Sequence, residues 1–69
     1  MILNRVEQVI ENVKDADDLQ DILHLGKLSG YDSFYRIRIG DFRIGVEVVG
    51  EEIVFVRMLH RKDIYRYFP

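Results

Sequence analysis

The 69-residue sequence contains no cysteine and no tryptophan, and it has a single proline. The absence of cysteine excludes disulfides and thiolate zinc sites, and two histidines alone do not complete a metal site. No apolar stretch approaches the length needed to span a membrane, and the N-terminus lacks the pattern of a signal peptide. We therefore expect a cytoplasmic protein that uses no metal or cofactor and does not enter a membrane.

The length and charge of the chain indicate how many domains it forms and which part could contact an anion. A chain this short forms at most one domain, and such a domain buries only about 60% of its unfolded surface. Its hydrophobic content of 48% is typical of a globular rather than a disordered protein. The net charge of −2 conceals a split: residues 1–26 hold two basic and six acidic side chains, whereas residues 53–69 hold four basic and one acidic. This asymmetry makes the C-terminal half the region to search for contacts with an anion.

Two β-strands joined by a tight turn are predicted over residues 34–48. Apolar side chains alternate with polar ones over residues 35–39 and again over residues 42–48, and this period of two is typical of half-buried strands. Gly40-Asp41 lies between them, and a two-residue link with glycine first favours a primed hairpin turn. Pairing the two residues that flank this link fixes the register of the whole hairpin.

The polar face of this hairpin carries three arginines. In the predicted register Arg38 lies directly opposite Arg43, and Arg36 lies opposite Gly45. Like charges in facing positions are destabilising, and sequences that break a local rule often do so at functional sites. An anionic ligand would relieve the repulsion. The plainer alternative is a solvated surface on which each arginine is neutralised by a carboxylate.

The N-terminal segment is predicted to be a helix followed by a short helical turn. Apolar residues at spacings of three and four form one stripe, which comprises Ile2, Leu3, Val6, Val9, Ile10 and Val13. Asp17 or Asp18 can cap a turn that begins near Leu19, and Leu19, Ile22 and Leu23 would hold that turn on the core. Gly26 and Gly30 are predicted to mark a loop over residues 27–32, which leads to the first strand.

A third strand is predicted over residues 53–59. Its apolar residues occupy both faces until Arg57, as expected for a central strand. A preceding loop of two or four residues would put Phe55 on the core face, and a loop of three would put Val56 there. The predicted class is therefore α+β, with an N-terminal helix and short helical turn packed on a mainly antiparallel three-stranded sheet. The basic, aromatic tail at residues 60–69 would add one helical turn.

Three blocks of the sequence, residues 27–31, 35–44 and 56–65, resemble in their order the RelE/ParE superfamily of bacterial type II toxins. The resemblance implies a small antiparallel sheet with N-terminal helices across one face. It also implies one of two activities: ribosome-dependent members cleave messenger RNA without metal, and ParE-type members poison DNA gyrase. Both kinds are neutralised by a cognate antitoxin protein.

The resemblance also implies roles for individual residues. Arg36 and Arg38 match two basic positions that contact and orient RNA phosphate, and Arg43 matches the arginine that stabilises the scissile phosphate. Arg61 matches the basic residue that follows the third strand. Tyr65 is similar to a C-terminal tyrosine that takes part in proton transfer, although its spacing from Arg61 is shorter than in the family.

The chemistry of metal-independent RNA cleavage adds further candidates. Histidine exchanges a proton near neutral pH, which suits His60 to acid–base work, and tyrosines can stack on unpaired bases. His24 is not expected to be a metal ligand. The predicted catalytic residues are Arg43, His60, Arg61 and Tyr65, and the predicted RNA-binding residues are Lys27, Tyr35, Arg36, Arg38 and Lys62.

Residues 1–69 are expected to form a single toxin-like domain without the first strand and first helix with which family members usually begin. A misassigned start codon, a degenerate gene copy and a protein that completes itself by dimerising would each explain the difference. Because an unpaired sheet edge is a liability, we expect a homo-oligomer through that edge.

The favoured function is a type II toxin that inhibits translation as a ribosome-associated messenger RNA endonuclease. Two alternatives stay open, namely a non-nuclease toxin that poisons DNA gyrase and an inactive, truncated toxin that only binds its antitoxin.

Overall fold

The computed structural model describes residues 2–69, which form two α-helices, a short 3₁₀ turn and a four-stranded antiparallel sheet. In chain order the elements are α1 (Ile2–Asp15), the 3₁₀ turn (Leu19–Asp21), β1 (Leu25–Lys27), β2 (Phe34–Ile39), β3 (Phe42–Val49), β4 (Glu52–His60) and α2 (Ile64–Tyr67). The strands lie side by side in sequence order. The predicted α+β class is confirmed. Over residues 2–69, neither helix has the length and apolar character that a membrane crossing requires.

The prediction of three strands is wrong, because residues 25–27, which end at the start of the predicted loop at residues 27–32, form a fourth strand. β1 pairs antiparallel with β2, with Leu25 opposite Ile37 and Lys27 opposite Tyr35. A three-residue strand with glycine at its centre is too short to show an alternating pattern. It forms because the backbone of β2 offers hydrogen-bonding groups along a free edge, which is a tertiary effect.

Helix α1 and the 3₁₀ turn cover one face of the sheet as the apolar spacing predicts. Ile2, Val6, Val9 and Val13 pack against the main core. Leu3, which the predicted stripe includes, is instead 59% exposed. The backbone N–H of Gln20 donates to the Asp18 carboxylate, so Asp18 caps the turn. Ile22 is buried beneath this turn, whereas Leu23, expected to dock there, is exposed.

The β2–β3 hairpin has the predicted register. Ile39 pairs with Phe42 across the turn, and Arg38 therefore lies opposite Arg43. Gly40 has a φ of +55°, a conformation that glycine adopts without strain. The hairpin thus places the arginines of both strands on the face opposite α1.

A second hydrophobic cluster covers part of the arginine-bearing face. Leu28, Ile64 and Phe68 are buried there, and Phe34 and Leu59 pack against them. The ring of Phe68 lies directly on Gly45, where a Cβ would come within 2.7 Å of three ring carbons. Glycine at position 45 is therefore required by the close approach of the C-terminal segment, and α2 is fixed over the sheet.

Strand β4 lies at the edge of the sheet, so the prediction of a central strand is wrong. Val49 pairs with Glu52, which makes the link two residues long and puts Phe55 opposite Val46 on the α1 face. A bulge follows, because Gly45 pairs with Arg57 and leaves Val56 extra. Four apolar side chains of this strand are at least 41% exposed, namely Val54, Phe55, Val56 and Met58.

Candidate functional site: an arginine-lined cleft

A cleft of about 250 Å³ opens on the sheet face opposite α1. We call it the arginine cleft; its lining residues are His24, Arg36, Arg38, Arg43, Arg61 and Tyr65. They come from five places in the chain: the turn before β1, strand β2, strand β3, the segment after β4, and α2. Four guanidiniums and no carboxylate line this cleft, so its chemistry is that of an anion-binding site.

Arg38 and Arg43 face each other across β2 and β3, but their guanidiniums contact different hydrogen-bond acceptors. Arg43 Nη1 donates to the carbonyl oxygens of Gly40 at 2.8 Å and Phe42 at 2.9 Å. Arg38 Nη2 lies 3.4 Å from His24 Nδ1. Neutral acceptors fix both guanidiniums without cancelling their charge, so each stays available to an anion.

Arg36 lies between two glycine-bearing strands, opposite Gly26 of β1 and Gly45 of β3. Its guanidinium lies over Gly26 so closely that a Cβ at that position would overlap it. Its Nε donates to the hydroxyl oxygen of Tyr65. This hydrogen bond joins β2 to α2 and leaves the tyrosine hydrogen free to be donated elsewhere.

Arg61 is the one arginine of the cleft with an acidic partner among residues 2–69. Its Nε lies 3.9 Å from Asp41 Oδ1, and its backbone N–H donates to the Asp41 carbonyl at 2.7 Å. Both side chains are more than half exposed, and exposed ion pairs of this kind are weak. The remaining described ion pairs, Lys14–Glu11 and Lys27–Asp32, do not involve the cleft.

Five of the predicted site residues therefore lie together, and four others do not. Tyr35 packs against the main core on the α1 face, and Lys27 makes an ion pair with Asp32 at 4.0 Å. The His60 ring packs edge-on against Phe42, its partner on the α1 face, with centroids 5.8 Å apart. Lys62 does not line the cleft, and its backbone N–H donates to His60 Nδ1 at 3.2 Å.

His24 lines the arginine cleft, although the sequence does not predict it as a member of the site. Nothing in its local pattern marks it, because it follows an exposed leucine and precedes a strand that the sequence does not predict. Antiparallel pairing of β1 with β2 extends to this residue, since the Arg38 N–H donates to the His24 carbonyl at 3.2 Å. Within the described residues, no group of three histidine, aspartate or glutamate side chains is arranged to hold a metal.

The fold agrees with the comparisons to known proteins. A family model described as "ParE toxin of type II toxin-antitoxin system, parDE" matches residues 1–65, and the chain therefore belongs to this family of toxins. It is 48% identical to Toxin RelE3 of Methanocaldococcus jannaschii over an alignment of 69 positions that covers 99% of this chain and 78% of that protein.

A solved structure also supports membership of this toxin family. The crystal structure of the RelB-RelE antitoxin-toxin complex from Methanococcus jannaschii contains a chain that is 46% identical to this one, with a TM-score of 0.77. The match covers 99% of this chain and 80% of that chain. The resemblance to the RelE/ParE superfamily is thus confirmed, and this protein is a toxin of a type II toxin–antitoxin system.

Proposed function

We propose that this toxin cleaves messenger RNA on the ribosome without a metal ion and thereby inhibits translation in the cytoplasm. The observation that carries the proposal is the arginine cleft. Arg36, Arg38 and Arg43 are oriented there by neutral groups rather than by carboxylates. Fixed guanidiniums bind phosphate through paired hydrogen bonds and stay charged at every physiological pH.

The proposed reaction is a transesterification within the RNA. The 2′-OH beside the scissile phosphate attacks phosphorus and loses its proton to water, and the bond from phosphorus to the next 5′ oxygen breaks. The products are a 2′,3′-cyclic phosphate and a 5′-OH. Arg43 and Arg61 stabilise the charge that develops on the phosphate oxygens, while Arg36 and Arg38 hold the backbone.

Tyr65 is proposed to protonate the leaving 5′ oxygen and to recover its proton from water. The hydrogen bond from Arg36 Nε to its hydroxyl oxygen supports this role, because it holds the hydroxyl in the cleft and leaves its hydrogen free to be donated to the leaving oxygen. His60 is not included in the proposed mechanism, since its ring packs on Phe42 on the other side of the sheet.

Induced expression of the toxin without antitoxin tests the proposed function. We expect rapid cuts at particular codons in messenger RNAs, a fall in translation, and unchanged DNA supercoiling. Messenger RNA ends and plasmid supercoiling are measured from the same cultures. An SOS response with intact messenger RNA would overturn the proposal.

Gyrase poisoning is the second candidate function. The family model that matches residues 1–65 is a ParE toxin model, and His60, a predicted acid–base residue, lies outside the cleft. The supercoiling measurement decides between the two functions. No growth effect in the same experiment would instead indicate an inactive chain that only binds antitoxin.

The proposed protein partner is a cognate antitoxin. The similar RelE chain was solved in a complex with the antitoxin RelB, which supports the same kind of partner for this toxin. In the absence of antitoxin we propose that two copies associate through β4. The exposed apolar residues of that edge strand support the association, because such edges readily pair with another chain.

A substitution in β4 tests this association. Val56, at the bulge, is 45% exposed, and Val56→Lys is expected to convert a dimer into a monomer, because a charged residue opposes edge-to-edge pairing. Light scattering of both proteins at equal concentration measures the change. Leu3→Lys, on the exposed side of α1, is the matched control and should stay dimeric. A monomeric wild-type chain that unfolds cooperatively would contradict the proposal.

A further inference from the structure

His24 lies in the turn before β1 with a φ of 62°, a left-handed conformation that residues with a Cβ rarely adopt. Among residues 2–69 every other positive φ belongs to a glycine. Glycine would take this conformation without strain. A histidine in its place indicates that the side chain contributes something a glycine does not, since such strain is concentrated at functional sites.

The backbone around His24 is held from two sides. The N–H of Leu23 donates to Asn12 Oδ1 of α1 at 2.9 Å. The N–H of Arg38 in β2 donates to the His24 carbonyl oxygen at 3.2 Å. These bonds tie the turn to both the helix and the sheet, so the His24 ring is presented at a fixed position on the rim of the arginine cleft.

The contact with Arg38 defines which ring nitrogen of His24 carries the hydrogen. Arg38 Nη2 lies 3.4 Å from His24 Nδ1. A guanidinium has donors only, so Nδ1 is the acceptor and the hydrogen of the neutral ring is on Nε2. Within the described residues this Nε2–H has no hydrogen-bond partner.

We propose that His24 is a phosphate-binding residue of the arginine cleft. It donates its Nε2–H to a phosphate oxygen of RNA and, through Nδ1, holds the Arg38 guanidinium in the cleft. A neutral donor adds a hydrogen bond to the anion without adding to the repulsion among the four guanidiniums. This inference rests on the proposed function, since it takes RNA as the occupant of the cleft.

Replacing His24 with glycine separates this role from a purely structural one. His24→Gly removes the left-handed strain together with the ring, so the melting temperature should be unchanged or higher. The variant also loses the hydrogen bond from His24 to the phosphate and no longer holds the Arg38 guanidinium in the cleft. We therefore expect kcat/KM for ribosome-dependent cleavage to fall by about tenfold or more. Thermal unfolding and cleavage of a defined messenger RNA on purified ribosomes give the two readouts.

A second variant tests whether another hydrogen-bonding side chain at position 24 restores cleavage. Asparagine tolerates the left-handed conformation, and its side chain offers an oxygen to Arg38 and an N–H to phosphate. His24→Asn should therefore recover part of the activity that His24→Gly loses. The neighbouring Leu23→Ala, which alters an exposed residue outside the arginine cleft, should cleave as fast as the wild type.

The outcomes distinguish the proposed role of His24 from the proposed nuclease function. If the wild type cleaves messenger RNA and His24→Gly cleaves it equally well, the role of His24 is overturned and the nuclease function stands. If His24→Asn is no better than His24→Gly while both remain folded, hydrogen bonding by His24 is likewise overturned. A wild type that leaves messenger RNA intact on the ribosome overturns both proposals together.

Discussion

The Arg43→Ala variant is expected to cleave messenger RNA about 10²–10³-fold more slowly than the wild-type chain, the usual effect of removing one fixed donor from a developing oxyanion. Arg43 Nη1 is tied to the Gly40 and Phe42 carbonyls, which leaves Nη2 and Nε to bind phosphate. The guanidinium is thus already oriented in the free protein, and the proposed cleavage would need little reorganisation of it in the transition state. Single-turnover cleavage on purified ribosomes measures the effect.

Two further variants show whether geometry or charge is responsible. Arg43→Lys keeps the charge but loses the planar fork, so it should recover only a small part of the activity. Arg57→Ala removes the same charge from an exposed position of β4 outside the arginine cleft, and its activity should stay near that of the wild type. Equal losses in Arg43→Ala and Arg57→Ala would show that the effect is only general electrostatic attraction to RNA.

The Arg43→Ala variant should still bind its antitoxin with little loss of affinity. The side chain makes its hydrogen bonds within its own hairpin turn and is not part of either hydrophobic cluster, so its removal leaves the fold and the apolar surface unchanged. Copurification with the antitoxin checks this expectation. A variant that loses cleavage and antitoxin binding together would indicate misfolding rather than a catalytic defect.

The Gly45→Val variant is expected to lower the free energy of unfolding by about 2 kcal/mol, although valine is the better strand former. Strand propensity favours valine by at most about 1 kcal/mol. The added side chain would collide with the Phe68 ring, which already lies within 2.7 Å of a Cβ position, and overpacking of this kind costs about 1–3 kcal/mol. For a chain of this size the melting temperature should fall by about 8–16 °C.

A double-mutant cycle identifies the collision as the cause. Phe68→Ala alone should be strongly destabilising, because Phe68 is 3% exposed and deletion of a buried phenylalanine costs about 3–5 kcal/mol. In that background Gly45→Val should cause little further loss or a gain, since the ring is gone. Thermal unfolding followed by circular dichroism supplies all four stabilities. Additive losses in the double mutant would contradict the contact.

Gly45 also shows how the C-terminal segment and the cleft depend on each other. The Phe68 ring on Gly45 fixes α2 against the sheet, and α2 carries the Tyr65 hydroxyl to Arg36. The Gly45→Val variant should therefore lose activity at temperatures well below its unfolding transition. The same glycine thus serves the stability of the second cluster and the position of the proposed acid.

Much of the fold could be predicted because its signals are local. The helix and the 3₁₀ turn follow from apolar spacing and an aspartate cap, and the β2–β3 register follows from a two-residue turn and a period of two. Strand β1 could not be predicted, since three residues with a central glycine carry no pattern. The edge position of β4 could not be predicted either, because an apolar run is equally compatible with a central strand.

The residues of the candidate site likewise include some that could be placed from the sequence and some that could not. The predicted register places Arg36, Arg38 and Arg43 on one face, and the family resemblance implies Arg61 and Tyr65. Residue type alone suggests His60 and Tyr35 as further members of the site, yet both lie on the α1 face. The alternation over residues 35–39 already places Tyr35 on the apolar face, whereas the face on which His60 lies depends on its pairing with Phe42.

The sequence by itself determined that the chain folds as a helix over an antiparallel sheet and that two facing arginines lie on the side opposite the helix. Those features depend on residues close together in the chain. Only the tertiary structure decided that His24 joins these arginines and that Phe68 lies on Gly45. These contacts join segments 14 and 23 residues apart, and they form because backbone pairing and close packing bring the segments together, which no local pattern specifies.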